Sequence, residues 1–546
     1  MDKKILEREI EEIVLKNLGV TKEEYQSWFT KEYKVNEKVL KEFAEIVKQS
    51  DEIRIVGDYD VDGICSVYIM IKLMEYGFNK SVNNINYVIP RRMSEGYGIK
   101  ESVINRLYEK DKELFAEGKR ITLITVDNGI AGYDAIEYAK GLGYRIIVTD
   151  HHELGMNRIP DAEIVINPKV SSCNPFEYNG YCGAMVAYKI AEPFIQNDTL
   201  KLHLRIMASL ATVADVMELR EENYVAVKES LTALKEKNIP KSLKYIGNLS
   251  PNFTWENITE KDFGFLFAPI MNASGRLKDN GAQKVEEYLL NPSEKEAKEL
   301  IEINEERKAL VKIKMQEIEE QLKDKPIKSP LWIYQSSIPE GIVGILAGKI
   351  VEEYHVPCIL LTNTEKEGIL KGSGRSTSNF NLYEYLNTID KSIYVGFGGH
   401  SGAAGISIYQ EGYENIVLKL PDLGIKEELK NKVDMELDID DIPNAWEILR
   451  NYAPYGEGNS EITFQVDIKD NEYKLIGQNQ NTLCVNGTDT AVKLICFDYK
   501  KHTQHLDIND GFSMIGSLSL NTFRDKSGIQ MLANRIAPPL EKVLEK

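Results

Sequence analysis

The sequence predicts an α/β protein built on a doubly wound parallel sheet, and three stretches carry that expectation. "IRIVGDYDVDG" (53–63), "RITLITVDNG" (120–129) and "YRIIVTDHHE" (144–153) each run from an apolar, β-rich segment into acidic residues. Helical stretches lie between them, "ICSVYIMIKLMEYG" (64–77) and "AIEYAKGLG" (135–143), so strands alternate with helices as in a parallel sheet. Ligands in such sheets bind beyond the carboxyl ends of the strands. All three acidic clusters fall there.

Residues 1–50 read as short amphipathic helices, and the opening "MDKKILEREIEEIVLKN" lacks the apolar block of a secretory signal. No apolar run approaches the length of about 18 residues that spans a bilayer, so the expected compartment is the cytoplasm. After the strand at 53–56 and the buried helix at 64–77 comes a further strand, "INYVI" (85–89), ahead of the two acid-tipped strands. "SEKEAKELIEINEERKALVKIKMQEIEEQLKD" (293–324) is the longest helical pattern, with Ser293 and Glu296 as a capping box and Pro326 past its end. At 1.5 Å per residue it is roughly 45 Å long, which suits a connector between domains. "LWIYQ", "CILLT" and "GILKGSGRS" alternate with the helix "GIVGILAGKIVEEY" (341–354), a second α/β unit reaching about residue 420. Beyond "PYGEGN" (454–459), short runs such as "ITFQV", "TLCV", "AVKLICF" and "FSMIGSLSL" describe a small closed barrel.

A chain of 546 residues is too long for one core and implies three or four domains. Its six cysteines form no Cys-x-x-Cys pair, which favours reduced thiols over disulfides or a zinc site. A net charge of −18 argues against indiscriminate nucleic-acid binding over the whole surface. Residues 461–546 hold 10 Lys+Arg against 11 Asp+Glu, a net of −1, so the acidic excess lies upstream of them.

Asp58, Asp60 and Asp62 stand at alternate positions before Gly63. Alone, the string reads equally as a solvated acidic turn. Acids at three strand ends point instead to a bound cation, which turns carboxylate repulsion into attraction. With Asp127, His151 and Asp215 of "ATVADVMEL" (211–219), the set is five carboxylates and an imidazole. Carboxylates suit Mg²⁺ or Mn²⁺, and the imidazole moves the preference towards Mn²⁺. Five acids exceed the needs of one ion but fit two ions about 3.5–4 Å apart, as in two-metal hydrolases. Asp215 by itself reads as a helix-end acid. His151 and His152 can diverge around one site at a strand end, one binding metal and the other facing substrate. Small residues surround His400 in "GGHSGAAG" (398–405), where glycine exposes backbone amides to an anion.

"GDYDVDG", "DNG", "TDHHE" and "TVAD", in this order, resemble the DHH phosphoesterase superfamily, and "GGHSGAAG" resembles its accessory domain. "IPRRMSEGYG" (89–98), "MNASGRL" (271–277), "GSGRS" (372–376) and "PYGEGN" narrow the likeness to the RecJ family of bacterial single-strand-specific 5′→3′ exodeoxyribonucleases. The resemblance implies a DHH domain (51–282) after an N-terminal helical segment (1–50). A connector helix (283–325), a DHHA1-like accessory domain (326–430) and an OB-fold with its lead-in (431–546) follow. It implies Asp58, Asp60, Asp62, Asp127, His151 and Asp215 as ligands of two Mn²⁺ or Mg²⁺ ions, Asp127 bridging. His152 is then the catalytic histidine beside the scissile phosphate, with Asp150 orienting the strand end. Arg92, Arg276, Ser373, Arg375 and His400 match phosphate-contacting positions, where arginine binds in two-pronged fashion. Single-stranded DNA is the implied partner, in DNA repair and recombination, with a single-stranded-DNA-binding protein and a helicase as candidate protein partners.

Departures from the family pattern are Pro339-Glu340 before Gly341, where Trp-His is frequent, and Lys349, where arginine is common. The segment before residue 50 matches poorly. Competing readings are a DHH enzyme of oligoribonucleotides or cyclic dinucleotides and a catalytically dead replication scaffold. The former usually ends after the accessory domain, whereas about 125 residues follow it here; the latter loses ligands, and every ligand position here is filled. Most aromatics of the C-terminal module are expected in its core. Tyr499, beside Lys500 and Lys501, is the candidate stacking platform for bases.

Overall fold

The computed structural model describes residues 2–539 apart from 155–157, 365, 428–431, 469–472, 478, 488–491, 504–507, 509–510 and 524–525. Strands β1 (Glu52–Val56), β2 (Ile85–Val88), β3 (Ile121–Val126), β4 (Arg145–Thr149) and β5 (Ile164–Ile166) form an all-parallel sheet in the order β2-β1-β3-β4-β5. Every residue of β1 and β3 is buried, the burial that a parallel sheet covered on both faces requires. The order reverses between β1 and β3, which opens a crevice at their carboxyl ends. From β1 the chain enters the helix Val61–Lys72, capped by Asp60, whose carboxylate accepts the Gly63 N–H at 3.1 Å. That helix packs against the helices Gly183–Ala191 and Asp198–Ala214 and is therefore apolar on nearly every side. β5 was not among the expected strands, because three residues are too few to display a period.

The long helix spans Glu294–Leu322. Ser293 accepts the Glu296 N–H at 3.3 Å and donates its hydroxyl to the Glu296 carboxylate at 2.8 Å, so the expected pairing of these two residues forms side chain to side chain. Its Ala297 and Leu300 belong to the core around the first sheet, and its Val311 and Ile318 to a second core. The helix therefore bridges two bodies, as its length implies. Strands β6 (Leu331–Tyr334), β7 (Cys358–Asn363), β8 (Ile369–Arg375), β9 (Tyr394–Gly399) and β10 (Ala403–Tyr409) form a mixed sheet ordered β6-β7-β8-β10-β9. Ser373 and Arg375 therefore lie on β8, a strand paired on both sides.

A third sheet joins β11 (Met435–Glu436), β12 (Phe464–Ile468), β13 (Tyr473–Ile476), β14 (Thr482–Asn486), β15 (Lys493–Cys496), β16 (Phe512–Phe523) and β17 (Lys526–Ala537). Its order is β11-β12-β16-β17-β15-β14-β13. Tyr499 does not form an exposed platform: it is 7% exposed and packed in the core of this sheet, where its apolar ring gains more than in water. Phe497, two residues earlier, is 61% exposed. The side chains of Phe523, Arg524 and Lys526 lie outside the described residues. The N-terminal helices divide between cores: Leu6, Ile10, Val14 and Leu18 of the helix Lys3–Leu18 pack into the third, and Phe43 and Val47 of Glu37–Gln49 into the first. Among the described residues no helix is long and apolar enough to cross a membrane.

Candidate active site

β1 and β3 run side by side, Val56 opposite Thr125, and deliver Asp58 and Asp127 to the crevice. β4 adds Asp150, His151 and His152, and the end of the helix Asp198–Ala214 adds Asp215. Potential ligand atoms fall into three groups, each within 4.8 Å: Asp58–Asp60–Asp127, Asp62–His151–Asp215 and Asp127–His151–His152. The six residues expected to hold metal thus converge. His151 Nε2 stands 3.1 Å from Asp127 Oδ1, 3.5 Å from Asp62 Oδ2 and 3.6 Å from Asp215 Oδ2.

The local backbone is shaped for this crowding. Asp127 has φ +61°, in the left-handed region that costs a non-glycine residue roughly 1–2 kcal/mol. Asn128 beside it donates to Val56 O at 3.1 Å and to Val126 O at 2.9 Å, tying the two strand ends together. Asp62 accepts the N–H groups of Gly183 and Ala184 at 2.7 Å each, from the first turn of the helix Gly183–Ala191. A Cβ on Gly183 would lie 2.5 Å from the Asp127 side chain, so glycine is required there.

Burial, and then the neighbouring carboxylates, raise the pKa values of Asp58, Asp60 and Asp127, and Asp215 is raised to about 8. Burial pushes His151 down to about 4 and keeps its imidazole neutral. His152 behaves oppositely: burial opposes its charge, but the 2.7 Å contact with Asp150 raises it to about 9. Burial likewise opposes the charge of Asp150, yet His152 and the Ile130 N–H hold it at about 2. A protonated His152 bound to Asp150 is a poor ligand, although its ring nitrogen lies near the acids.

Tyr97 was not singled out in the sequence, though its motif was. Its hydroxyl lies 3.0 Å from His152 Nε2. Gly96 and Gly98 on either side have φ +76° and +71°, a turn that favours glycine, so the string "GYG" was the available signal.

A second, cationic cluster joins the first and second sheets. Arg92 lies over the Tyr59 ring at 4.5 Å. Arg276 donates to Gly341 O at 3.2 Å, and Arg375 donates to Ser373 Oγ at 2.8 Å. A Cβ on Gly344 would approach Arg375 Nη2 to 3.0 Å, so the first turns of the helix Glu340–Tyr354 lie against this pair. That helix has no side-chain cap, which leaves N–H groups and the positive end of its dipole facing the arginines. Burial, then Arg92, Arg307 and Arg375, push Arg276 down to about 9, and it remains a cation at neutral pH. His400 stands in the exposed turn between β9 and β10, where its Nδ1 accepts the Gly402 N–H at 3.2 Å. The register puts Ala403 opposite Arg375, so this turn lies at the Arg375 end of β8.

Residues 52–214 match the DHH family, N-terminal domain, residues 329–423 the DHHA1 domain, and residues 433–535 the RecJ OB domain. A single-stranded-DNA-specific exonuclease RecJ of Bacillus subtilis is 29% identical over 516 residues, 91% of this chain. The chain spans 63% of that relative's length. The RecJ of Haemophilus influenzae is 28% identical over 536 residues, 92% of this chain and 90% of its own. The crystal structure of Thermus thermophilus RecJ in complex with Mn²⁺ shares the fold, with a TM-score of 0.71 at 23% identity over 92% of this chain and 72% of that one. The chain thus carries a DHH family domain, a DHHA1 domain and a RecJ OB domain in that order, around one cluster of acids at the strand ends, and is similar to RecJ exonucleases over about nine-tenths of its length.

Proposed function

We propose that the protein is a divalent-metal-dependent exonuclease that hydrolyses single-stranded DNA from the 5′ end, in DNA repair and recombination. One observation carries the reading: six metal-type ligands meet at a single switch point, with Asp58 Oδ2 and Asp127 Oδ1 buried and without hydrogen-bond partners. Buried carboxylates without donors need compensating positive charge. The donor set therefore fits two Mn²⁺ or Mg²⁺ ions held by Asp58, Asp60, Asp62, Asp127, His151 and Asp215. Asp127 and His151 each stand in two of the three groups, and Asp127 is the proposed shared ligand. Such ions, when bound, neutralise charge on a phosphoryl group and acidify water.

The chain's own residues do the rest. His151, neutral at physiological pH, offers a lone pair. His152 is held as an imidazolium by Asp150, and its Nε2–H, which rests on the Tyr97 hydroxyl, turns to a phosphoryl oxygen when the strand binds. Arg92, Arg276, Ser373 and Arg375, with the helix amides after Pro339, hold the terminal 5′ phosphate, and His400 approaches from its turn. A pocket for the chain end at a fixed reach from the acids sets the polarity.

The proposed division is a helical segment (1–50), catalytic domain (51–282), connector (283–325), accessory domain (326–430) and OB module with lead-in (431–546). Single-stranded DNA is the substrate. A single-stranded-DNA-binding protein and a helicase, which would supply free strands, are the proposed protein partners, and the cytoplasm the compartment. Strands and duplexes labelled at the 5′ or 3′ end, incubated with Mn²⁺, test the reading. Nucleotides should leave single strands from the 5′ end, chelator should stop the reaction, and Asp127→Ala should abolish it. Release from the 3′ end, or equal attack on duplexes, would overturn it.

A further inference from the structure

The two most exposed large apolar side chains among those described are Phe265, at 81%, and Val216, at 65%. Both line one groove of about 460 Å³, together with Met217, Tyr455 and Gly456. Val216 directly follows Asp215, so the groove begins beside the acidic cluster and runs to the C-terminal module.

Neither residue is there by default. The helix Asp198–Ala214 ends with Val216 N–H on Val213 O at 3.2 Å and Met217 N–H on Thr212 O at 3.1 Å. This is the closure in which glycine usually takes the left-handed position. Here a β-branched valine takes it, at φ +54°. A strained residue at a site's edge, with its side chain in solvent, gains nothing from the fold itself. Phe265 lies in the π-helical turn Phe263–Phe267, whose first and last rings are fully buried while the central one points out. Such turns recur at functional sites.

We propose that Val216 and Phe265 form an apolar lip on which the bases of the substrate strand stack as it leaves the acidic cluster for the C-terminal module. The assignment rests on the single-strand reading above. Charge selects bases over phosphates: the groove also carries Glu260, Glu457 and Glu461, and its Lys261 is held by Glu461 at 2.6 Å. Phosphates are repelled from this wall, which leaves the bases facing it. Stacking on an aromatic face tolerates any base, as a non-specific strand binder requires.

The test combines substitutions with abasic strands. On ordinary single strands Phe265→Ala should raise KM on the order of ten-fold, and Phe265→Trp should restore it. On strands abasic in the segment next to the cleaved end, Phe265→Ala should change KM by a factor of about one, because the stacking partner is already gone. Val216→Asn, a residue at ease in the left-handed region, should keep or raise Tm while weakening strand binding measured by anisotropy in EDTA. Equal losses on base-bearing and abasic strands, or an unchanged KM, would overturn the lip while leaving the nuclease reading intact. A wild-type protein that neither binds nor cuts single strands would overturn both.

Discussion

Two adjacent histidines at the end of β4 stand in opposite charge states. His151 lies at about 4 through burial, and His152 at about 9 through its bond to Asp150. The folded value of His152 is above its usual 6.5 and that of Asp150 below its usual 3.8, so the pair's stabilisation is complete between those two pH values, is lost as pH rises through about 9, and is lost as pH falls through about 2. Asp150→Asn should therefore lower the NMR-titrated pKa of His152 and lower Tm at pH 6 more than at pH 9.5; an unchanged His152 titration would refute the pairing. Glu286 makes a second case, away from the site. Both its carboxylate oxygens are buried without partners, beside Cys65 and Tyr68, and burial raises its pKa well above the usual range. An acid with a raised folded pKa stabilises least at high pH, because unfolding releases its proton. Glu286→Gln should thus raise stability, with a gain that grows by about 1.4 kcal/mol per pH unit above pH 4.5 until the folded pKa is reached. Denaturation of both forms between pH 5 and 8 decides it, and a gain independent of pH would count against it.

Elements position what residues perform. The first turn of the helix Gly183–Ala191 holds Asp62 by two N–H groups and leaves no space for a Cβ against Asp127. Gly183→Ala should leave circular dichroism unchanged and lower kcat on the order of 100-fold, since a displaced ligand misaligns the whole site. Arg375 is fixed differently, on a strand paired on both sides and facing the start of the helix Glu340–Tyr354. Arg375→Ala should raise KM for 5′-phosphorylated strands on the order of ten-fold more than for 5′-hydroxyl strands, the share of one charge-assisted bond. Equal losses would place the 5′ phosphate elsewhere.

At the scale of the molecule, the two ends of the chain share a core. Leu6, Ile10, Val14 and Leu18 pack with Phe464, Leu483 and Met514, and Lys3 pairs with Glu447 at 2.7 Å. At about 1.5–3 kcal/mol per buried side chain, the first helix stabilises the third sheet substantially. Removing residues 1–20 should lower the unfolding temperature of that module, read as an earlier loss of Trp446 fluorescence, and raise dye binding. For the same reason, deleting residues 455–546 alone uncovers four apolar residues of the first helix; a truncation that tests strand binding must remove that helix too. A protein lacking residues 1–20 that melts like the full chain would show the shared core to be idle.

The sequence by itself determined the parallel sheet, the connector helix and the acidic cluster. Each is written locally, in strand periods, in an N-cap serine, and in acids set at strand ends where parallel sheets present ligands. Asp58, Asp127 and His151 were legible for that reason. Only the tertiary structure decided which aromatics face solvent, because burial depends on partners distant in the chain. Tyr499 lies beside two lysines in sequence yet is packed in the core, while Phe497 stands out. The same holds for Tyr97 beside His152, for Arg276 against Gly341, and for Val216 and Phe265 on one groove: each pair is joined by long-range packing that no local period records.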